Sequence, residues 1–164
     1  MDDIKKILAA LDFTPYSEGT FNYAAKIAQN LNAELIIGSI INKRDVAAIN
    51  SITSMGYEID SEHYVDGIKE ERKKMLEQFL ATSSFNSENV RLIFKIGNPV
   101  DELLKLIVKE HIDMVVMGVK GRTGLEHVLI GSVADKLFHN SPVPVVSFRD
   151  EKNAERLRKR IKIA

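Results

Sequence analysis

The stretch from residue 118 to residue 132 contains glycines, a serine and two cationic side chains whose types and spacing could bind a ligand: Gly118, Lys120, Gly121, Arg122, Gly131 and Ser132. The glycines and the serine follow the pattern G-x-x-G-x(9)-G-[ST]. Glycine lets the backbone turn sharply and approach a ligand without a side chain in between. Successive N–H groups in such a turn can surround an anion, and a helix that starts near Ser132 adds its own unpaired N–H groups. This combination is typical of a phosphate-binding loop.

Each residue of this stretch also has an ordinary structural explanation. Glycines after a strand can simply form a turn, and Ser132 with Asp135 matches S-x-x-D, a capping-box variant in which the hydroxyl only caps the helix. Lys120 and Arg122 can be solvated surface charges, and packing explains His127 better than catalysis does. From spacing alone, phosphate binding and a plain turn remain equally open. Two familiar phosphate motifs, G-x-x-x-x-G-K-[ST] and a G-x-G-x-x-G after the first strand, are absent.

The segments around this loop alternate between apolar strands and amphipathic helices. Strands are predicted at residues 4–11, 34–41, 90–96, 114–117 and 143–148. Helices are predicted at residues 14–31, 65–82, 100–110 and 132–140, the first with Thr14 as its cap and Pro15 at its first position. This order predicts an α/β fold, an open five-stranded parallel sheet with helices on both faces. The polar alternation of the third strand indicates either one more exposed face or an edge position, and residues 42–64 show only a weak helical pattern around residues 46–52.

Asp12 follows the first predicted strand directly. Open parallel sheets bind ligands beyond the carboxyl ends of their strands, so this position favours a ligand role for the carboxylate. The alternative is that Asp12 serves the cap and the dipole of the helix that follows.

Composition narrows the class of protein. The 164 residues suit one domain, and 23 basic against 23 acidic residues argue against nucleic-acid binding. The absence of cysteine excludes disulfides, thiolate catalysis and cysteine-bound zinc, and the four histidines do not have metal-ligand spacing. Without a signal-peptide pattern or an apolar run of about 18 residues, we expect a cytoplasmic protein with no membrane contact.

The last residues differ from the rest in charge. We predict a nucleotide-binding domain over residues 1–149 and a basic C-terminal tail over residues 150–164. Arg149 to Ala164 contains seven basic and three acidic residues. A solvated, partly helical tail is expected, and the alternative is weak attraction to an anionic partner or membrane surface, for which the tail offers little apolar area.

Over residues 2–149 the chain resembles the universal stress protein family, in its ATP-binding branch. The long glycine motif carries the resemblance, with support from three further segments: Leu11-Asp12-Phe13-Thr14, Gly97-Asn98-Pro99 and Ser141-Pro142-Val143-Pro144-Val145-Val146. The resemblance implies an adenine nucleotide α-hydrolase-like, Rossmann-like fold that binds ATP, or else ADP or AMP, with Mg²⁺. It also implies a homodimer formed through the last strand, Val143–Phe148.

The resemblance assigns roles to individual residues. It implies that the triphosphate contacts Gly121, Gly131, Ser132 and Val133, with Gly118 forming the turn. It implies that Asp12 lies near the ribose or Mg²⁺ and that Ile40 packs on the adenine. Ala10 and Met117 would line the same cleft, and Lys120 and Arg122 are candidates for phosphate contact.

Three functions are compatible with these assignments. The first is a nucleotide-dependent regulatory protein of the stress response that acts through partner or dimer contacts. The second is a slow Mg²⁺-dependent ATPase, although the motif contains no evident base or arginine finger, so we expect negligible turnover. The third is an interaction module that needs no nucleotide.

Overall fold

The computed structural model describes residues 3–119 and 131–163. Its five strands are β1 (Lys6–Ala10), β2 (Glu34–Asn42), β3 (Val90–Gly97), β4 (Met114–Gly118) and β5 (Val145–Phe148). Its six α-helices are α1 (Ser17–Leu31), α2 (Lys43–Ser54), α3 (Ser61–Thr82), α4 (Pro99–Lys109), α5 (Ser132–Asn140) and α6 (Glu151–Arg158). A 3₁₀ turn at Ser87–Asn89 precedes β3.

The strands form one sheet in the order β3-β2-β1-β4-β5, and every neighbouring pair is parallel. The predicted five-stranded parallel sheet is therefore confirmed, and so is the edge position of β3. Strands β2 and β3 lie on one side of β1, and strands β4 and β5 lie on its other side. The strand order thus reverses at β1, and in open α/β sheets the crevice at this switch point is where ligands bind.

Two apolar layers cover the two faces of the sheet. Side chains alternate between the faces along a strand, so Ile7 and Ala9 of β1 face one layer while Leu8 faces the other. Helices α1 and α3 supply the first layer with buried residues that include Phe21 and Phe79. Helices α4 and α5 supply the second. Because both faces are covered, the central strands are apolar throughout, which is the pattern that the sequence shows.

Two predicted boundaries are wrong by a few residues. Helix α1 begins at Ser17 rather than at residue 14, because Thr14 does not cap it: the Thr14 hydroxyl donates a hydrogen bond to Asp12 Oδ1 at 2.9 Å. Strand β5 begins at Val145 rather than at Val143. Pro144 has no N–H for the ladder, although its carbonyl still accepts a hydrogen bond from the Val115 N–H at 2.9 Å.

Residues 42–64, which the sequence left almost without prediction, form α2 and the first turn of α3. Each helix has a side-chain cap: Asn42 Oδ1 accepts from the Arg44 N–H at 3.0 Å, and Asp60 Oδ1 accepts from the Glu62 N–H at 3.1 Å. Helix α2 has no buried residue. Its apolar residues Val46 and Ile49 are only half-buried, which explains why the sequence showed only a weak helical pattern here.

The basic tail is partly helical, and most of its described residues are exposed. Most of it forms α6, whose cap is Asp150, and Asn153 is buried. Within the part of the chain that the structure describes, no helix combines the length and the hydropathy needed to cross a bilayer.

An ion-pair cluster joins β3 to its neighbours at the amino end of the sheet, away from the carboxyl ends. Arg91 donates to Glu34 Oε1 at 2.9 Å and to Glu110 Oε2 at 2.7 Å. The hydrogen bond from Arg91 lowers the pKa of Glu110 from its ordinary value. Arg91 is 45% exposed, so solvent screens both pairs and their contribution to stability is small.

Candidate functional site

A cleft of about 360 Å³ opens at the carboxyl ends of β2, β1 and β4. Its volume falls in the usual range for small-molecule sites, about 300–1,000 Å³. Ile40 and Asn42 line the β2 side, Asp12 lies at the end of β1, and Gly118 ends β4. The first turns of α1, α4 and α5 close the cleft. The cleft therefore occupies the switch point of the sheet.

Eight of the eleven predicted binding residues line this cleft: Ala10, Asp12, Ile40, Met117, Gly118, Gly131, Ser132 and Val133. The remaining three, Lys120, Gly121 and Arg122, lie outside the described residues. Tertiary structure thus brings together residues that are more than 120 positions apart in the sequence. Their contact with a ligand stays a prediction.

The start of α5 forms one wall of the cleft. Gly131 is the residue before the first helical turn, and its N–H donates to the Val119 carbonyl at 2.8 Å. This bond joins the two ends of the glycine loop. The first-turn N–H groups of a helix have no partner within the helix, and among residues 3–119 and 131–163 no side chain caps α5. Since Ser132, Val133 and Ala134 all line the cleft, this wall suits an anion.

The capping-box explanation of Ser132 is wrong. Ser132 occupies the first helical position of α5, one residue after the cap position that a capping hydroxyl needs. The first helical bond runs from the Asp135 N–H to the Gly131 carbonyl at 3.0 Å. The Ser132 hydroxyl is therefore placed on the cleft wall without serving as a cap.

Asp12 lies in the cleft and also forms hydrogen bonds with the start of α1, so both roles that the sequence offered as alternatives are possible for it. Its Oδ1 accepts three hydrogen bonds from the start of α1: from the Thr14 N–H at 3.2 Å, the Thr14 hydroxyl at 2.9 Å and the Ser17 hydroxyl at 3.0 Å. Its Oδ2 accepts none from residues 3–119 or 131–163. One oxygen is thus held in place by the fold, while the half-buried carboxylate lines the cleft.

The backbone turns sharply just after Asp12. Phe13 has a φ of 56°, in the left-handed region that non-glycine residues rarely adopt. Such a conformation costs roughly 1–3 kcal/mol and is often found at functional sites. The Phe13 ring stacks on Phe79 of α3, with ring centroids 6.3 Å apart, so packing stabilises the turn that orients the carboxylate.

Arg72 is a cleft residue that sequence reasoning missed. It lies on α3, is 5% exposed and lines the cleft. Its Nη1 donates to Ser39 Oγ at 2.7 Å and to the Ile40 carbonyl at 3.3 Å, and its guanidinium carbon lies 5.8 Å from the centroid of the Phe13 ring. In the sequence it is one cation in the charged run Glu70-Glu71-Arg72-Lys73-Lys74. The signal that could have identified it is its spacing, because Arg72 shares the buried face of α3 with Val65, Leu76 and Phe79.

Metal ligands are sparse at the cleft. Among the described residues, no group of three or more histidine, cysteine, aspartate or glutamate side chains is placed to hold a metal ion. Asp12 is a single carboxylate, and Mg²⁺ in nucleotide sites is commonly held by one or two carboxylates together with substrate phosphates. The donor set therefore fits Mg²⁺ only when a nucleotide supplies further ligands.

The parallel sheet with its strand reversal at β1, and the cleft at that point, define a Rossmann-like α/β protein. The model of the universal stress protein family matches residues 3–149. The chain belongs to this family, and helix α6 follows the matched region.

Known proteins agree with this assignment. The universal stress protein YxiE of Bacillus subtilis is 28% identical over 148 residues, which cover 88% of this chain and 98% of that protein. The structure of universal stress protein UspA from Lactobacillus plantarum has a TM-score of 0.72 at 21% identity and covers 91% of this chain and 100% of its own. A universal stress protein in complex with cAMP has a TM-score of 0.59 at 20% identity, with coverages of 90% and 98%. At these identities the two solved structures establish the shared fold.

Proposed function

We propose that this protein is an ATP-binding universal stress protein that acts in the cytoplasm as a nucleotide-dependent regulator. The observation that carries the proposal is the cleft at the switch point, which gathers the predicted binding residues around an uncapped helix start. An anion-binding wall at one end and an apolar wall at the other match the two parts of a nucleotide.

The order of the walls suggests the orientation of the nucleotide. Ile40, at the β2 side, offers an apolar surface for the adenine. Asp12, in the middle, is suited to the ribose or to a Mg²⁺ ion that phosphates also hold. Ser132 and Val133, at the start of α5, are suited to phosphate, and Lys120, Gly121 and Arg122 of the glycine loop complete this proposed contact.

A relative of the same fold supports an adenine nucleotide as the ligand class, since it has been solved in complex with cAMP. ATP is proposed in preference to ADP and AMP because several residues at the start of α5 line the cleft and because the sequence places two cations, Lys120 and Arg122, in the glycine motif. Nothing in the composition favours nucleic acid as a partner, because the net charge is zero.

Regulation requires that the nucleotide bind one conformation better than another. Asn42 provides one connection between the cleft and the surface, because it lines the cleft and caps α2. The second proposed connection is a homodimer formed through Val143–Phe148. Strand β5 ends the strand order of the sheet, and edge strands readily pair with another chain.

We expect the purified protein to carry an adenine nucleotide or to bind one when it is added. Denaturing the protein and separating the supernatant by ion-pair chromatography identifies any nucleotide that copurifies. Titration calorimetry of nucleotide-free protein should give a Kd for ATP below about 1 mM, a binding free energy stronger than about −4 kcal/mol. No released nucleotide, together with no measurable ATP affinity in this range, would contradict the proposal.

The second candidate, a slow ATPase, is favoured only by the position of Asp12. In the Asp12→Asn variant, Oδ1 still accepts from Thr14 and Ser17 while the negative charge is lost. We expect removal of Mg²⁺ by EDTA to weaken ATP binding about tenfold in the wild type, and to have little effect in the variant. Phosphate release should stay near background in both proteins. Steady turnover that depends on Asp12 would instead favour the enzyme.

A further inference from the structure

A second cavity, of about 720 Å³, lies directly beside the cleft. Four residues line both: Tyr16 and Thr20 at the start of α1, and Gly118 and Val119 after β4. The far side of the second cavity is formed by the end of β5 and the first turns of α6. The two spaces are therefore neighbours along the carboxyl edge of the sheet.

The sheet order defines a direction along this edge. The cleft extends from β2 across β1 to β4, and the second cavity extends from β4 to β5. In the proposed nucleotide orientation, the adenine lies at the β2 side and the first phosphates lie at the start of α5. A longer phosphate chain that continues in the same direction enters the second cavity.

The charges around the second cavity suit phosphate. Three cationic residues line it: Arg149, Lys152 and Arg156. It is also lined by two carboxylates, Asp150 and Glu151, but both have partners within the tail. Asp150 accepts from the Asn153 N–H at 2.9 Å and from Asn153 Nδ2 at 2.5 Å. Glu151 accepts from Arg158 at 2.5 Å. Asn153 is uncharged, so Asp150 keeps its negative charge, but the three cations still outnumber the two carboxylates and the net charge of the lining residues is positive.

We propose that Lys152 of α6, with Arg149 beside it, binds the outer phosphoryl groups of the nucleotide and so makes the protein selective for ATP over AMP. This inference rests on the proposed function, because it needs a nucleotide in the cleft. Helix α6 lies beyond residues 3–149, the region that the family model matches. The selectivity is thus a property that this chain's own C-terminal segment adds to the site.

The test compares ATP and AMP binding in the full-length wild type and in Lys152→Met. Lys152 is exposed, so the substitution removes a charge without disturbing the core. We expect the Kd for ATP to rise about fivefold to tenfold, in the range of one lost charge-assisted contact. The Kd for AMP should change less than twofold, and Lys152→Arg should retain the wild-type preference for ATP.

Lys162→Met is the matched control, because Lys162 is an exposed cation of the same tail and lines neither cavity. It should bind both nucleotides as the wild type does. An equal loss of ATP and AMP affinity in Lys152→Met, or no loss of ATP affinity, overturns the inference. A third result would also overturn the inference: pyrophosphate binds together with AMP, while the Kd for ATP does not depend on Lys152. The second cavity would then bind a free anion rather than the outer phosphoryl groups of ATP.

The two proposals fail in different ways. A wild-type protein that binds neither ATP nor AMP contradicts the proposed function itself. A wild type that binds both, with variants that keep the same ratio of ATP to AMP affinity, contradicts only the role of α6.

Discussion

ATP is expected to raise the melting temperature of the wild type, and the Gly131→Val variant is expected to lose this rise. A ligand that binds only the folded state stabilises it by about 2.7 kcal/mol at a hundred times its Kd. For a domain of this size each kcal/mol shifts the melting temperature by about 2–4 °C, so the rise should be about 5–10 °C. Differential scanning fluorimetry with and without ATP measures it directly.

Gly131 is the best position at which to block the cleft. Its φ of −67° and ψ of 152° are allowed for any residue, so valine adds bulk to the cleft wall without backbone strain. The N–H that donates to the Val119 carbonyl is retained. The equivalent substitution of Gly121 also belongs to the phosphate-loop hypothesis, but Gly121 lies outside the described residues, so its surroundings offer no structural control.

Gly67→Ala is the control for this experiment. Gly67 lies on α3, is exposed, and has no atom within 4 Å of where a Cβ would be. Alanine there should stabilise the protein by about 0.5–1 kcal/mol through helix propensity and leave the ATP-dependent rise intact. No rise in the wild type at millimolar ATP would refute the nucleotide hypothesis. A full rise in Gly131→Val would refute the proposed phosphate position at the start of α5.

Arg72→Met is expected to reduce the free energy of unfolding by about 2–4 kcal/mol, a large effect for one substitution. The guanidinium is almost fully buried, and one of its acceptors, Ser39, is 0% exposed. Without Arg72 the Ser39 hydroxyl loses a partner in the interior, which costs about 1–3 kcal/mol. Loss of the contact with the Phe13 ring adds about 0.5–2 kcal/mol. Methionine preserves most of the side-chain length, so the effect reports the polar contacts.

Urea denaturation followed by circular dichroism measures this loss of unfolding free energy. An unchanged m-value shows that unfolding exposes the same amount of surface in the variant as in the wild type.

Lys73→Met is the neighbouring control on α3. Lys73 is 52% exposed and, among the residues that the structure describes, forms an ion pair only with Glu70 on the surface, so the substitution should cost less than about 0.5 kcal/mol. Ser39→Ala should cost less than Arg72→Met, since it removes only one acceptor. A loss below about 1 kcal/mol in Arg72→Met would show that the buried arginine is not a structural anchor.

Arg72 also shows where sequence reasoning reached its limit at the site. The predicted residues that the structure describes share a recognisable local context, because each lies near the carboxyl end of a strand or at the start of a helix. Arg72 is in the middle of a helix, among charged neighbours that are exposed. Its burial depends on where α3 lies relative to the end of β2, which is a contact between segments more than 30 residues apart.

The beginnings of α2 and α3 were missed for a different physical reason. Their caps, Asn42 and Asp60, are polar residues that also occur in loops, and α2 buries no side chain. A helix whose apolar residues are at most half-buried has a weak apolar pattern, which predicts a helix poorly. By contrast, β2 and α4 were predicted closely, because burial of one element against another leaves a repeating pattern in the sequence.

By itself, the sequence determined the order of strands and helices, the parallel sheet and the family, because apolar periodicity and glycine spacing are local properties of the chain. The tertiary structure was needed to show which polar groups line the same cleft and that α6 lies beside the carboxyl end of β4. It was also needed to show that Asp12 Oδ1 accepts hydrogen bonds from the start of α1 while the carboxylate lines the cleft. These features arise from contacts between distant segments. Their geometry depends on how the helices pack on the sheet, which no local pattern encodes.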